Sequence, residues 1–210
     1  MSTLEIIGGP GSNFVRTARM ACIEKGVPYT LTPVRPHTPE VDAISPVGKI
    51  PVLRHGTVTV AETRAICGYI DMAFDGPPLM PRDAVAAAAS EQWISLITTS
   101  IDIALLRNYL VHYVFPSLPD GTPDRAKIAA GLPKCREMFA IMEKELAAHT
   151  YLGGANFTLA DMFLLPIIHY MPAFPESAEM MAGAPAVRAW FDRVAARPSA
   201  QQTVPPPRTG

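Results

Sequence analysis

Ser12 is the residue whose type and position best suit chemistry. It follows Pro10-Gly11 where a helix is expected to begin. A hydroxyl there can cap the helix, or donate a hydrogen bond to an anion held at the helix N-terminus. If the anion is a ligand thiolate, hydroxyl and helix dipole both stabilise it and lower the thiol pKa from its ordinary value of about 8.5. Ser12 would then activate a thiol without being the nucleophile, and simple capping is the alternative.

A serine hydrolase is not indicated by the residues around Ser12. The sequence has no Gly-x-Ser-x-Gly motif and no nearby His/Asp order typical of a catalytic triad. The candidate chemistry is therefore thiol activation.

Two further segments could hold a ligand with a peptide backbone and a carboxylate. Ile50-Pro51 precedes a predicted strand, and a cis bond there would turn the backbone of Ile50 toward an extended peptide. An ordinary trans proline at a strand start is the alternative. Glu62-Thr63 begins a predicted helix, where the Thr63 hydroxyl and amide could meet a carboxylate. Plain capping is the alternative at that site.

The elements that must position these residues follow a β-α-β-α-β-β-α order in about the first 75 residues. Gly26 and Pro28 mark the end of the first helix. The His55-Gly56-Thr57 turn joins two strands of an antiparallel hairpin. The order predicts a thioredoxin-like α/β domain over residues 1–76. Its strands are expected at 4–7, 29–34, 51–54 and 58–60, and its main helices at 13–25 and 62–74.

After a proline-rich linker at residues 77–83, the pattern is helical only, which predicts an all-α domain over residues 84–210. Helices are expected at 85–113, from Thr122-Pro123 to 148, and at 185–196. Thr158 and Asp161 have the spacing of a capping box. The segment 198–210 is expected to be a poorly ordered or wrapping tail.

Charge and composition exclude several classes of protein. The net charge is −1, which gives no electrostatic basis for nucleic-acid binding. The first residues lack a secretory signal, and apolar runs such as 162–168 are too short to span a bilayer. Cys22, Cys67 and Cys135 are scattered, which argues against disulfides and a zinc site. We therefore expect a cytoplasmic protein with no metal and no membrane partner.

Three segments together resemble the soluble (cytosolic) glutathione S-transferase family. They are SPVGKIPVL at 45–53, ETRAI at 62–66 and FTLAD at 157–161, and the resemblance extends over roughly residues 3–200. Ser12-Asn13 with Arg16, followed by EKGVPY at 24–29, is similar to the serine-type classes of the family, notably the phi- or theta-like and bacterial ones.

The resemblance implies a role for each motif residue. Ser12 would stabilise the glutathione thiolate, and Ile50, before a cis Pro51, would pair its backbone with the cysteinyl part of glutathione. Glu62 and Thr63 would hold the γ-glutamyl group, although Thr63 replaces the more usual serine. The glycyl carboxylate would be bound by Lys49 and His37, of which His37 is better explained as an exposed loop residue.

The resemblance also implies an electrophile pocket between the first-helix loop and the long helix after the linker. Its candidates are Thr99, Ile103, Leu106, Tyr109 and Tyr113, for which core packing is the alternative. The implied function is catalysis of the attack of glutathione thiolate on small hydrophobic electrophiles. The implied assembly is a homodimer. Peroxidase or disulfide reductase chemistry, or a non-catalytic binding role, are the alternatives.

Overall fold

The computed structural model describes residues 3–207. It divides into two compact units. The described residues up to Arg82, together with those from Ala195 onward, form the first unit, and Asp83–Val194 form the second. The first contains a four-stranded sheet and the second is entirely helical. The predicted combination of an α/β thioredoxin-like domain and an all-α domain is confirmed.

The sheet of the first unit has the strand order β2-β1-β3-β4. β1 runs parallel to β2 and antiparallel to β3, and β3 and β4 form the predicted hairpin. The bounds are β1 Leu4–Ile7, α1 Asn13–Lys25, β2 Tyr29–Thr32, α2 Pro39–Asp42, β3 Val52–His55, β4 Val58–Ala61 and α3 Thr63–Ala73. The apolar β1 and β3 lie at the centre of the sheet, with Ile6 opposite Leu53 and both fully buried.

The C-terminal segment packs on the first unit, whereas the sequence had assigned it to the domain 84–210. Its short helix Pro198–Gln202 follows Arg197, whose guanidinium makes two hydrogen bonds of 2.8 and 2.7 Å to the Glu24 carboxylate on α1. The buried Arg16 donates from Nη2 to the carbonyl of Ala200 at 3.1 Å. These contacts join residues more than 170 positions apart, so sequence pattern does not reveal them. The part of the expected tail at 208–210 lies outside the described residues.

Asp71 holds the proline-rich segment after α3 in place by hydrogen bonds. Its carboxylate accepts hydrogen bonds from the main-chain N–H groups of Leu79 and Met80, at 2.9 and 3.3 Å. It also pairs with the buried Lys25 at 2.8 Å. The segment is thus held by a charged side chain, in addition to the stiffness that its prolines give it.

The second unit consists of helices around a buried apolar core. We number these α4 Ala84–Val114, α5 Arg125–Ala148, α6 Leu159–Ile168, α7 Pro175–Ala182 and α8 Pro185–Ala195, and Pro198–Gln202 of the first unit is α9. All residues of α6 are buried, and Tyr109, Phe163 and Trp190 are among the largest fully buried side chains. The predicted capping box of α6 is present at Thr158 and Asp161.

The long helix α4 departs from regular α-helical geometry in its second half. Residues Ile97–Ile101 and Ile103–Leu110 adopt π-helical turns. By length and composition alone, this 31-residue helix is long and apolar enough to cross a membrane. A core helix of a globular domain passes the same test, and α4 contacts α5 and α6 within its own unit.

The start of α5 was predicted wrongly. Its N-cap is Asp124, whose carboxylate accepts from the Lys127 N–H at 3.1 Å, so Thr122 and Pro123 lie before the helix. The sequence has two side chains that can cap a helix here, Thr122 and Asp124, and the acidic one caps α5.

Candidate active site

Ser12 is the N-cap of α1, close to the end of β1. Its Oγ accepts a hydrogen bond from the Val15 N–H at 3.4 Å, and the side chain is half-buried. The tight turn from β1 to α1 depends on Gly8, at φ +151°, where a Cβ would lie 2.6 Å from Val15 Cγ2. The hydroxyl accepts from Val15, so its own hydrogen is left for donation to a ligand.

The Ile50–Pro51 peptide bond is cis, and this loop lies against the turn that carries Ser12. A Cβ on Gly8 would be 3.0 Å from Ile50 Cβ. Ile50 packs at the edge of a small cluster formed by the buried Ile7, Val41 and Val52. Within residues 3–207, neither the N–H nor the C=O of Ile50 has a hydrogen-bond partner. The main chain of Ile50 is therefore available to pair with an extended peptide.

Glu62 and Thr63 lie beside this loop because of the strand register. Val52 pairs with Ala61, which makes Pro51 and Glu62 neighbours across the hairpin. Glu62 has φ +68°, an uncommon backbone conformation for a residue with a side chain, and such conformations cost on the order of 1–3 kcal/mol and cluster at functional sites. Its side chain is exposed and does not cap α3, whereas Thr63 is buried in the first turn.

His37 and Lys49 are brought together around Gly48. The His37 N–H donates to the Gly48 carbonyl at 2.9 Å, and a Cβ on Gly48 would lie 2.1 Å from His37 Nδ1. His37 itself has φ +58°. Both basic side chains are exposed, so they can reach an anion from solvent. Gly8 belongs to the glycine-rich run before Ser12 and Gly48 to the motif at 45–53, but the close contacts of both residues are visible only in the structure.

The first unit thus gathers a hydroxyl, an unpaired backbone segment, a helix N-terminus and two basic side chains. This combination fits a small extended peptide that carries a thiol and carboxylates. Among the described residues, no group of three or more His, Cys, Asp and Glu side chains is arranged to hold a metal ion.

The five predicted electrophile-pocket residues, all on α4, differ in burial. Thr99 is exposed and Ile103 is 45% exposed, whereas Leu106 is 9% exposed and Tyr113 is half-buried. Tyr109 differs, because it is fully buried and its hydroxyl bonds to Ser177 and Glu176 on α7. Burial raises the pKa of Tyr109 well above its ordinary range. This residue is core, since its face of α4 turns toward α7 rather than toward solvent.

The three cysteines are buried and free. Burial raises the pKa of Cys22 to about 12 and that of Cys135 to about 11, and it also raises the pKa of Cys67. None of these thiols is ionised near neutral pH, so none is a ready nucleophile.

Comparisons with protein-family models and with curated proteins both return matches along this chain. Residues 6–78 match the glutathione S-transferase N-terminal domain family, and residues 102–198 match the glutathione S-transferase C-terminal domain family. Glutathione S-transferase 3 of Zea mays is 34% identical over 99% of this chain and 98% of its own length.

Two solved structures are similar over nearly the whole chain. Glutathione transferase F7 from Populus trichocarpa has a TM-score of 0.87 at 26% identity, covering 96% of this chain and 97% of its own. Glutathione S-transferase I from maize, in complex with an atrazine glutathione conjugate, has a TM-score of 0.85 at 25% identity and covers 96% of both chains. These relatives are plant proteins and do not support the bacterial-type assignment. The chain belongs to the glutathione S-transferase family.

Proposed function

We propose that this transferase is a serine-type enzyme in which Ser12 stabilises the thiolate of glutathione for attack on small hydrophobic electrophiles. The observation that carries the proposal is the convergence of Ser12, the unpaired backbone of Ile50 and the N-terminus of α3 in one unit. Glutathione is the co-substrate.

Each part of glutathione has a matching group. The cysteinyl backbone pairs with the N–H and C=O of Ile50, next to Pro51. The γ-glutamyl amine and carboxylate bind at Glu62 and Thr63, where an acidic side chain meets a helix N-terminus. Lys49 and His37 attract the glycyl carboxylate. The bound thiol then lies near Ser12, where the hydroxyl hydrogen and the dipole of α1 favour the ionised form.

Catalysis follows from that ionisation. The thiol loses its proton to solvent, and the Ser12 O–H donates a hydrogen bond to the sulfur anion. The thiolate attacks an electrophilic carbon, a carbon–sulfur bond forms, and a leaving group such as chloride departs with the bonding electrons. On the helical unit, Thr99, Ile103, Leu106 and Tyr113 of α4 would supply the electrophile-binding side.

The experiment is a comparison of Ser12→Ala and Ser12→Asp with the native chain in a chloronitroarene conjugation assay. Both variants should reduce kcat/KM on the order of tenfold to a hundredfold, because the thiol pKa of bound glutathione rises when Ser12 is replaced. At a pH below that pKa, each unit of rise lowers the thiolate fraction about tenfold. Ser12→Asp is informative because aspartate still caps a helix but repels a thiolate.

Ser95→Ala is the matched control, since Ser95 is an exposed serine on α4. Glutathione binding is measured in parallel by calorimetry. If the native chain does not bind glutathione, the proposed site is wrong. If turnover of Ser12→Ala equals that of the native chain, Ser12 has no part in the mechanism. A peroxide and a low-molecular-weight disulfide in the same assay rank the alternative glutathione chemistries.

We also propose the wider organisation that the family resemblance implies. Residues 1–76 bind glutathione, residues 77–83 connect, and the helical residues from 84 onward bind the electrophile. The enzyme acts in the cytoplasm as a homodimer. Three buried free thiols agree with a reducing compartment.

A further inference from the structure

The carboxylate of Glu176 is a meeting point of three helices in the helical unit. The Tyr113 hydroxyl, near the end of α4, donates to Glu176 Oε2 at 2.6 Å, and the Tyr109 hydroxyl donates to the same oxygen at 3.1 Å. Arg125, at the start of α5, lies 3.7 Å from Oε1 through Nη1. Glu176 itself is in the first turn of α7, where the helix dipole favours a negative charge.

Glu176 is therefore a stable anion at neutral pH. Burial acts to raise its pKa, but the Tyr113 hydroxyl and the other donors outweigh burial and hold the pKa below the ordinary value for a glutamate. The charge that holds the two tyrosines is present under the conditions in which a glutathione transferase acts.

The direction of the Tyr113 hydroxyl is fixed by this arrangement. Arg125 Nη1 donates to Tyr113 Oη at 2.7 Å, and a guanidinium can only donate. The hydroxyl hydrogen must then go to Glu176. Because that hydrogen is engaged, Tyr113 has no O–H to offer to a ligand.

The ring of Tyr113 is held as firmly as its hydroxyl. Phe174 packs against it with ring centroids 4.5 Å apart, and the Arg125 guanidinium carbon lies 5.1 Å from the ring centroid. The side chain nevertheless remains half-exposed. What it leaves open to a ligand is apolar ring surface.

We propose that Glu176 is a positioning residue for electrophile binding, and that it acts by holding Tyr113 so that this residue presents apolar ring surface and no hydrogen-bond donor. The inference rests on the proposed function, in which Tyr113 contributes to the electrophile side. It assigns to this enzyme a preference for electrophiles with an apolar, aromatic body. Glu176 does not touch the glutathione thiol, so thiolate formation is independent of it.

The test measures KM for a chloronitroarene, KM for glutathione and kcat in Glu176→Ala and Glu176→Gln. We expect Glu176→Ala to raise the electrophile KM by about three- to tenfold, the factor that the loss of one hydrogen bond brings. KM for glutathione should stay within about twofold of native. Glutamine can still accept from Tyr113, so Glu176→Gln should restore most of the electrophile affinity.

The matched control is Glu179→Ala, on the same helix and exposed. It should leave all three constants unchanged. A double-variant cycle with Tyr113→Phe isolates the proposed route. If Glu176 acts through Tyr113, then Glu176→Ala in the Tyr113→Phe background changes the electrophile KM by less than about twofold.

Three results would overturn the inference. One is a lower melting temperature of Glu176→Ala with an unchanged electrophile KM, which indicates a structural role only. Another is an equal rise of KM for both substrates. The third is a full additional effect of Glu176→Ala in the Tyr113→Phe background. Failure of the proposed function is recognised in separate measurements, because glutathione binding by the native chain and turnover of the Ser12 variants do not involve the Glu176 substitutions.

Discussion

At the scale of single residues, the same local position serves different purposes in different surroundings. Ser12 and Asp161 both lie in the first turn or cap of a helix. Ser12 is half-buried and its hydroxyl accepts a hydrogen bond from Val15, so its hydrogen remains available to donate to a ligand. Asp161 is fully buried and accepts from the Thr158 and Leu152 N–H groups and from Trp190 Nε1, at 2.9, 3.0 and 2.7 Å. It therefore links α6, the preceding loop and α8.

Asp161 gives the molecule a stability that depends on pH. Burial raises its pKa from 3.8 to about 6, although the hydrogen bonds from Thr158, Leu152 and Trp190 oppose the rise. Because the pKa in the folded protein is above that of the unfolded chain, the contribution is fully present below about pH 4 and is lost as the pH rises through about 6.

The corresponding variant is Asp161→Asn. Its amide NH₂ group is a donor and would face the N–H groups that now donate hydrogen bonds to the Asp161 carboxylate. We expect it to lower the free energy of unfolding by about 1–3 kcal/mol, with the advantage of the native chain shrinking between about pH 4 and pH 6. Urea unfolding followed by tryptophan fluorescence measures this, since Trp190 contacts the site. Asp124→Asn, at the N-cap of α5, is the control. An advantage that grows with pH in this window would show that the burial effect is not dominant.

At the scale of elements, α4 and α5 are in close backbone contact at Gly131. A Cβ at this position would lie 2.4 Å from the main-chain oxygen of Asn108, within the π-helical part of α4. A main-chain oxygen cannot move aside as a flexible side chain can. Helix packing thus requires a glycine at this position of α5, although glycine lowers the stability of a helix interior.

Gly131→Ala sets two effects against each other. Helix propensity favours alanine by about 1 kcal/mol, whereas overpacking of a close contact costs about 1–3 kcal/mol. We expect a net loss of up to about 2 kcal/mol in the free energy of unfolding, measured by urea denaturation.

Gly68→Ala on α3 is the matched control, because the nearest atom to its Cβ is the flexible end of Arg64 at 3.1 Å. That variant should be neutral or more stable than the native chain. Equal behaviour of the two variants would show that the contact with Asn108 does not limit packing.

At the scale of the whole molecule, the proposed homodimer needs an apolar surface that an isolated chain leaves exposed. Among the described residues, Met72 on α3 is the most exposed large apolar side chain, at 91%. We therefore expect the native chain to sediment with the mass of two chains, and Met72→Glu to shift the equilibrium toward one chain at the same concentration.

Analytical ultracentrifugation decides this prediction. Ile141→Glu, on α5 and 41% exposed, is the control for an added charge on another apolar surface residue. If the native chain sediments as a monomer, the proposed homodimer is wrong. A dimer that Ile141→Glu dissociates and Met72→Glu does not would move the interface to another face.

The sequence by itself determined the order of strands and helices, the capping box at Thr158 and Asp161, and the motif segments around Ser12, Ile50 and Thr63. These follow from signals between residues a few positions apart, such as caps, turns and the spacing of apolar side chains. Tertiary structure alone decided that the segment after Ala195 packs on α1, that Tyr109 is core, and that Glu176 holds Tyr113. The physical reason is that these outcomes depend on which surfaces meet across distant parts of the chain, and local residue patterns do not encode that choice.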